Sequence, residues 1–361
     1  MSAPNRVVPS ANVNLAGLAE HDLPELANFV AAQSGREPGE TLSHLTWLLL
    51  ENPARGEFNP LGCGVRSSQD ELVGCILYLP QMFVFRQNPL LILGSTCFYV
   101  DKLHRGSGGA LFLKFARAAN QFPLFGNSAN AIAAQLWKAR GATRIPNSNH
   151  ELLGVVDWPP VVEELAVRCG TGQSLARAAG AATGWLRHVR KLRLPSDSEG
   201  ELVRLSSVEE VLDLTLAGPP DCLTARRDEP YIRWRYFSRR DPSVALFAFR
   251  NRRTQKHMFV AVNERPRGYR RQIRSLNVLD AFPKPAPVVM AAILAVLYEK
   301  YRGHTDMIVL RCLDEPCQAA LREAGFHRRN FEAPNGWLLD RQGLLPTQNR
   351  YFVPADGDWL I

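Results

Sequence analysis

FYVDKLHRGSGGALF, Phe98 to Phe112, is the stretch whose reading decides the fold. An apolar run, Leu90 to Val100, leads into it. The glycine-rich turn Arg105-Gly106-Ser107-Gly108-Gly109 follows, and then ALFLKFARAANQF. In that last segment Leu111, Phe112, Phe115 and Ala116 recur at helical spacing. The order is strand, glycine turn, helix. Such a turn leaves the first N–H groups of the helix unpaired, and with the positive end of the helix dipole they favour an anion. Gly106, Gly108 and Gly109 have no Cβ, so a phosphate can approach the backbone. Arg105 adds a fixed positive charge. The spacing fits neither G-x-x-x-x-G-K-[ST] nor G-x-G-x-x-G, which argues against a P-loop and a dinucleotide fingerprint.

The stretch resembles the acyl-CoA signature [RQ]-x-x-G-x-[GA] of the GCN5-related N-acetyltransferases, with Arg105, Gly108 and Ala110 at the fixed positions. Downstream, Ser128 to Ala142 is similar to that family's N-x-x-A-x-x-L-Y-x-x-x-G-[FA]. Asn130, Ala133, Leu136, Gly141 and Ala142 match, and Trp137 stands where the family has tyrosine. The resemblance covers roughly Val13 to Trp158. It implies that the turn Arg105, Gly106, Ser107, Gly108, Gly109 and Ala110, with Asn130, holds the pyrophosphate end of acetyl-CoA or another acyl-CoA. It also implies that the backbone of Phe98, Tyr99 and Val100 holds the pantetheine, on a mixed sheet splayed open at that place.

At 361 residues the chain is long enough for two domains. A formal charge of +8 and a pI near 9.3 tilt it toward anionic partners without choosing one. Seven cysteines, an odd number with no C-x-x-C pair, argue against a disulfide framework or a zinc site and fit a reducing compartment. The first residues carry no apolar signal segment, and the run near Leu90 is too short to span a bilayer. The expectation is a cytoplasmic protein with no metal.

Along the chain, strands are expected at Val13–Leu18, Cys63–Ser67, Glu71–Phe85 and Leu90–Val100, with helices after Asp22, from Thr41 and from Ala129. Pro159-Pro160 should break regular structure. The segment after it, SLARAAGAATGWLRHVRKLRL, should be an amphipathic helix with Leu175, Ala178, Ala179, Ala182, Trp185, Leu186 and Val189 on one face, packed between the domains or, as the alternative, lying on anionic lipid. From Glu201 the pattern begins again. YIRWRYFSRRDP, Tyr231 to Pro242, parallels the segment Leu45 to Pro53, each with a tryptophan, Trp234 and Trp47, ahead of a strand pair. An internal repeat follows. The expected fold is mixed α/β (α+β): two acetyltransferase-like domains in tandem, each a mainly antiparallel sheet flanked by helices. Their expected bounds are 1–158 and 201–361, joined by a helical linker, 159–200. The second is degenerate, since Asp280-Ala-Phe-Pro-Lys-Pro-Ala-Pro287 replaces the glycine turn and prolines supply no N–H to a phosphate.

Acyl transfer to an amine needs a base, and Asp101 and His104 beside the turn are the candidates, against the alternative that both simply face water. The tyrosine that often serves as acid in the resembled family is Trp137 here, whose indole is no proton source and which fits a core position. Cys97 on the key strand reads as a small apolar filler. Asp356 and Asp358, near Tyr351 and Trp359, could orient an amine or form a polar hairpin tip. Arg250, Arg252, Arg253, Lys256, Arg265, Arg267, Arg270, Arg271 and Arg274 could bind an anion or form a solvated hairpin face. No nucleic-acid signature accompanies them. The expected function is N-acyl transfer from acyl-CoA to an amine-bearing small molecule or sugar in a cleft between the halves. The alternatives are a silent CoA-binding scaffold and a Fem-type aminoacyl transferase using aminoacyl-tRNA.

Overall fold

The computed structural model describes residues 13–56, 58–127, 129–184, 192–195, 200–214, 218–238, 241–252, 257–311, 314–330 and 336–356. In chain order they form β1 (Asn14–Leu18), α1 (Leu23–Ser34), α2 (Pro38–Leu45), β2 (Gly62–Arg66), β3 (Leu72–Phe85), β4 (Asn88–Val100), α3 (Gly108–Ala116), β5 (Leu124–Gly126), α4 (Ala131–Ala139) and β6 (Thr143–Arg144). Next come β7 (His150–Val155), α5 (Trp158–Arg168), α6 (Gln173–Ala182), β8 (Gly200–Leu205), α7 (Val208–Leu212), β9 (Leu223–Ala225), α8 (Glu229–Ile232), β10 (Val244–Asn251), β11 (His257–Arg267) and β12 (Ile273–Phe282). The rest are α9 (Pro287–Tyr301), β13 (Met307–Leu310), α10 (Glu315–Glu323), β14 (His327–Asn330), β15 (Trp337–Leu339) and β16 (Arg350–Tyr351).

Local chemistry explains the main elements. In α1, Leu23, Leu26, Ala27, Val30 and Ala31 recur at helical spacing and are buried, and Gly35 closes the helix at φ +70°. Strand β3 is a near-continuous apolar run, buried on both faces as a central strand must be. Ser207 opens α7 with a capping box closed by Glu210.

One sheet runs β1-β2-β3-β4-β5-β15-β6 and the other β8-β10-β11-β12-β13-β7-β14. In each, the fourth and fifth strands are parallel, and the sixth is antiparallel to both neighbours. The two orders are therefore one order repeated, with an exchange at the sixth place. There the first sheet uses β15, from late in the sequence, and the second uses β7, from the first half. The two compact units follow these seven-strand paths but not the strands off them, since β9 and β16, which belong to the first sheet, fall in the second unit: Met1–Phe83, Pro89–Arg144 and Asn335–Pro346 form one, and Val84–Asn88, Ile145–Pro334 and Thr347–Ile361 the other. The bounds 1–158 and 201–361 expected from the sequence do not follow them. Both strands at the sixth place are buried, with Leu152 0 % exposed and Leu338 1 %.

The repeat extends to detail. Trp47 lies in a π-turn, Thr46–Leu50, directly after α2, and Trp234 in a π-turn, Arg233–Ser238, directly after α8. Both are buried. Two expectations fail. Pro159 and Pro160 do not break structure; they open α5, where the first N–H groups need no partner. Helix α6 buries Ala176 and Gly180, while Leu175 and Ala178 are exposed. A Cβ on Gly180 would lie 2.8 Å from the Pro159 carbonyl oxygen, so glycine permits that close packing. Trp185, Leu186 and Val189 lie outside the described residues.

The exchange of sixth strands has a direct consequence. Fragments 1–200 and 201–361 expressed separately should show no cooperative thermal unfolding, and co-expressed they should purify together and melt as one species. Independent cooperative melting of each fragment would contradict the exchange.

Candidate functional site

The opening in the first sheet comes from strands that stop pairing. β4 and β5 pair only at Leu93↔Leu124 and Gly94↔Phe125. Beyond Gly94, β4 continues to Val100 while β5 ends at Gly126. The edge of Phe98, Tyr99 and Val100 is therefore not covered by β5, and all three are half-buried. Cys97, ahead of them, has φ +49°, a left-handed backbone inside a strand. Such a residue costs roughly 1–3 kcal/mol and persists only where its surroundings hold it. The Cys75 thiol donates to the Cys97 carbonyl at 3.2 Å. Burial pushes the Cys75 thiol well up, so it remains a donor at neutral pH.

The turn after β4 is tighter than the sequence implied. Lys102–Ser107 is a 3-10 helix that runs straight into α3, and the Gly108 N–H donates to the Arg105 carbonyl. The first donor of α3 is thus already paired, contrary to the expectation of unpaired N–H groups there. What remains open is space. A Cβ on Gly106 or Gly109 would meet nothing within 4 Å, and one on Gly108 only the Val100 side chain at 3.7 Å. Gly108 has helical angles, φ −58° and ψ −36°, and neither Gly106 nor Gly109 has positive φ. Backbone conformation requires glycine at none of the three. Arg105 and Ala110 are exposed beside them.

Asp101 and His104 are brought together. The Asp101 carboxylate caps the 3-10 turn, accepting from the Leu103 N–H at 2.8 Å, and stands 3.6 Å from His104 Nδ1. The ring of His104 is 19 % exposed, so the pair is reachable from solvent. Asn130 is the N-cap of α4, where its side-chain oxygen accepts from the Ala133 N–H at 2.9 Å. That bond is a structural reason for asparagine at this position. Trp137 is 2 % exposed and lies edge-on to Phe112 at 5.2 Å, against the glycine face of Gly126. It is a core residue, and no tyrosine replaces it on α4.

The second sheet keeps the opening and loses the glycine turn. β12 and β13 are last paired at Val278↔Leu310, and a register shift follows at Ala261/Val262, opposite Leu279. Asp280, one residue on, belongs to a buried network that sequence reasoning missed. Arg227 donates to Asp280 at 2.8 Å and to Asp356 at 2.7 Å, and the Tyr236 hydroxyl donates to Asp280 at 2.9 Å. The side chains of Arg227, Asp280 and Asp356 are at most 1 % exposed. Burial pushes the Asp356 carboxyl up, against the pull of Arg227. Asp356 is therefore a buried counter-ion rather than part of a polar hairpin tip; Asp358 and Trp359 lie outside the described residues. The separation of Arg227, Asp280 and Asp356 in sequence hid the network.

The basic set does not form one continuous charged face. Arg250 and Arg252 lie near Glu201, Arg265 pairs with Asp241, Arg267 with Glu151, Arg270 with Glu163 and Arg274 with Asp306. Arg253 and Lys256 lie outside the described residues. Among the described residues no group of three or more His, Cys, Asp or Glu could hold a metal ion, and no helix is long and apolar enough to cross a membrane.

No family model matches the chain, and no curated protein matches it. Solved structures do. A conserved protein of unknown function from Enterococcus faecalis V583, described as a probable N-acyltransferase, matches with a TM-score of 0.57 at 13% identity, over 92% of this chain and 74% of that one. A GCN5-related N-acetyltransferase from Anabaena variabilis ATCC 29413 matches with a TM-score of 0.53 at 10% identity, over 91% and 72%. Saccharomyces cerevisiae N-myristoyltransferase with bound myristoyl-CoA matches with a TM-score of 0.51 at 10% identity, over 94% and 81%. The chain has the GCN5-related N-acyltransferase fold, in tandem. Both units of this tandem fold keep the parted fourth and fifth strands, and only the first keeps the glycine turn.

The buried network carries a measurable cost. Asp280→Ala leaves the Arg227 charge short of a partner and should destabilise the protein by about 3–5 kcal/mol in urea unfolding. A loss below about 1 kcal/mol, the worth of an exposed ion pair, would show that the network does not brace the second unit.

Proposed function

We propose that the chain is an N-acyltransferase whose first unit holds acyl-CoA at the β4–α3 turn. The observation that carries the reading is the row Gly106, Gly108 and Gly109. These glycines occupy helical or near-helical backbone, where glycine costs about 0.5–1 kcal/mol relative to alanine. Their local conformation gives no return for that cost, and open space lies over them. A surface kept clear for a close-lying phosphate supplies the return, with Arg105 as the neighbouring charge. The uncovered edge of Phe98, Tyr99 and Val100 then offers backbone groups to the pantetheine. The fold supports the reading, since the yeast structure of similar fold contains myristoyl-CoA.

In the proposed reaction the acceptor is an amine on a small molecule or sugar, and the co-substrate is acetyl-CoA or a longer acyl-CoA. The amine nitrogen attacks the thioester carbon, the C–N bond forms and the C–S bond breaks. His104, whose Nδ1 stands 3.6 Å from the Asp101 carboxylate, takes the amine proton, and the CoA thiolate is protonated from solvent on leaving. Trp137 favours a second reading, binding without turnover. Its position is the family's usual place for the acid, and here it is in the core.

Three variants test these roles. Gly109→Ala should raise stability by about 0.5–1 kcal/mol and weaken acyl-CoA binding in calorimetry. Gly108→Asp should abolish binding while the melting temperature holds, because its Cβ meets only Val100. Unchanged affinity in both variants would remove the phosphate role of the turn. His104→Gln should lower kcat by roughly 10²–10⁴-fold with acyl-CoA affinity unchanged, followed by release of CoA thiol. Absence of thiol release from the wild-type chain across a panel of amines, with binding intact, would favour the second reading.

A further inference from the structure

The two faces of the second sheet are covered unequally. Leu152, Leu276 and Ile308 pack into the main core with α9 and α10, whereas Leu153, Ile273 and Met307 belong to a smaller cluster with Val161 of α5. Beside that smaller cluster lies a cavity of about 690 Å³, and its lining belongs to the second unit. Such a volume is that of a small-molecule site. Leu153, Val155, Val161, Ile273 and Met307 form its apolar wall, next to Trp158. Leu165 and Tyr269 also line it and are exposed to solvent, so the cavity can be entered there.

Two charged residues of α5, Glu164 and Arg168, face the same cavity. Four positions apart, they are neighbours on one side of the helix. Glu164 is 6 % exposed. Its Oε1 accepts from the Tyr269 N–H, and from the Arg270 N–H at 3.4 Å. Its Oε2 is buried and has no hydrogen-bond donor. A buried carboxylate oxygen left in that state is costly, and a charged donor on a ligand would relieve the cost. Arg168 is exposed, and among the described residues no carboxylate pairs with it. The other two guanidiniums at the cavity are engaged, since Arg267 and Arg329 both donate to Glu151.

The cavity therefore combines an apolar wall with an unsatisfied carboxylate oxygen and, one helical turn on, a guanidinium without an ion pair. A hydrocarbon would leave both groups unmet. A simple amine would answer only Glu164, and a simple carboxylate only Arg168. We propose that the cavity binds a free amino acid with a large apolar side chain. Its ammonium donates to Glu164 Oε2, its carboxylate accepts from Arg168, and its side chain lies against Val155, Ile273 and Met307. The site shares no residue with the β4–α3 turn and does not depend on acyl-CoA binding there.

Thermal shift and calorimetry on the full chain test this, with L-phenylalanine and L-leucine as probes. Glycine, phenethylamine and 3-phenylpropionate are the references, lacking in turn the apolar side chain, the carboxylate and the ammonium. Phenylalanine, leucine or both should raise the melting temperature and bind at least tenfold more tightly than any reference. Arg168→Gln should reduce the affinity for phenylalanine to that for phenethylamine. Glu164→Gln keeps an acceptor for the Tyr269 N–H and puts an amide in place of the unpaired oxygen. It should reduce the affinity for phenylalanine to that for 3-phenylpropionate. If Glu164→Gln fails to fold, Arg168→Gln decides the matter, because Arg168 is exposed. No response to either amino acid, a reference that binds as tightly as they do, or an Arg168→Gln protein that still prefers phenylalanine to phenethylamine would overturn the proposal.

Discussion

Parallel pairing between β4 and β5 lasts for Leu93 and Gly94 and then stops. The uncovered edge of Phe98, Tyr99 and Val100 follows from that early parting. A strand left without a neighbour exposes backbone donors and acceptors, which native sheets pair, cover or use. Here β4 is held apart by its own chemistry. Cys97 takes a left-handed backbone, the Cys75 thiol secures its carbonyl, and the 3-10 turn from Lys102 sets the start of α3. Gly94 allows Phe125 to pack close at the last paired position, where a Cβ would lie 2.9 Å from the ring.

The same opening occurs in the second sheet with different contents. The first unit has helical glycines under open space. The second has Asp280 tied into a buried network with Arg227, Tyr236 and Asp356. The repeated fold thus carries different side chains at the same opening in its two sheets. Fold alone does not choose the use of such an opening; the side chains there do.

Much of this was legible in the sequence, and the failures have physical causes. Apolar periodicity placed β1 to β4 and α3, and the paired tryptophans Trp47 and Trp234 marked the repeat because each sits in the same π-turn. The exchange of β7 and β15 was not legible. A short apolar strand between two others carries no mark of which sheet it joins, and the partners of Leu152 and Leu338 are far away in sequence. Proline at Pro159 and Pro160 misled because its meaning depends on position, breaking a helix inside and starting one at the first turn. The glycines, Asp101 and His104 lie close together in sequence, so local spacing could single them out as candidates. The Arg227 network and the convergence on Glu151 join residues from distant segments, so no local pattern could announce them.

The central claim is that acyl-CoA lies along β4 and the turn into α3. Hydrogen–deuterium exchange on the full chain, with and without saturating acetyl-CoA or a longer acyl-CoA, tests it most directly. The account predicts slowed amide exchange across residues 98–110, with little change across 273–290. Protection confined to 273–290, or none at 98–110 under saturation, would contradict it.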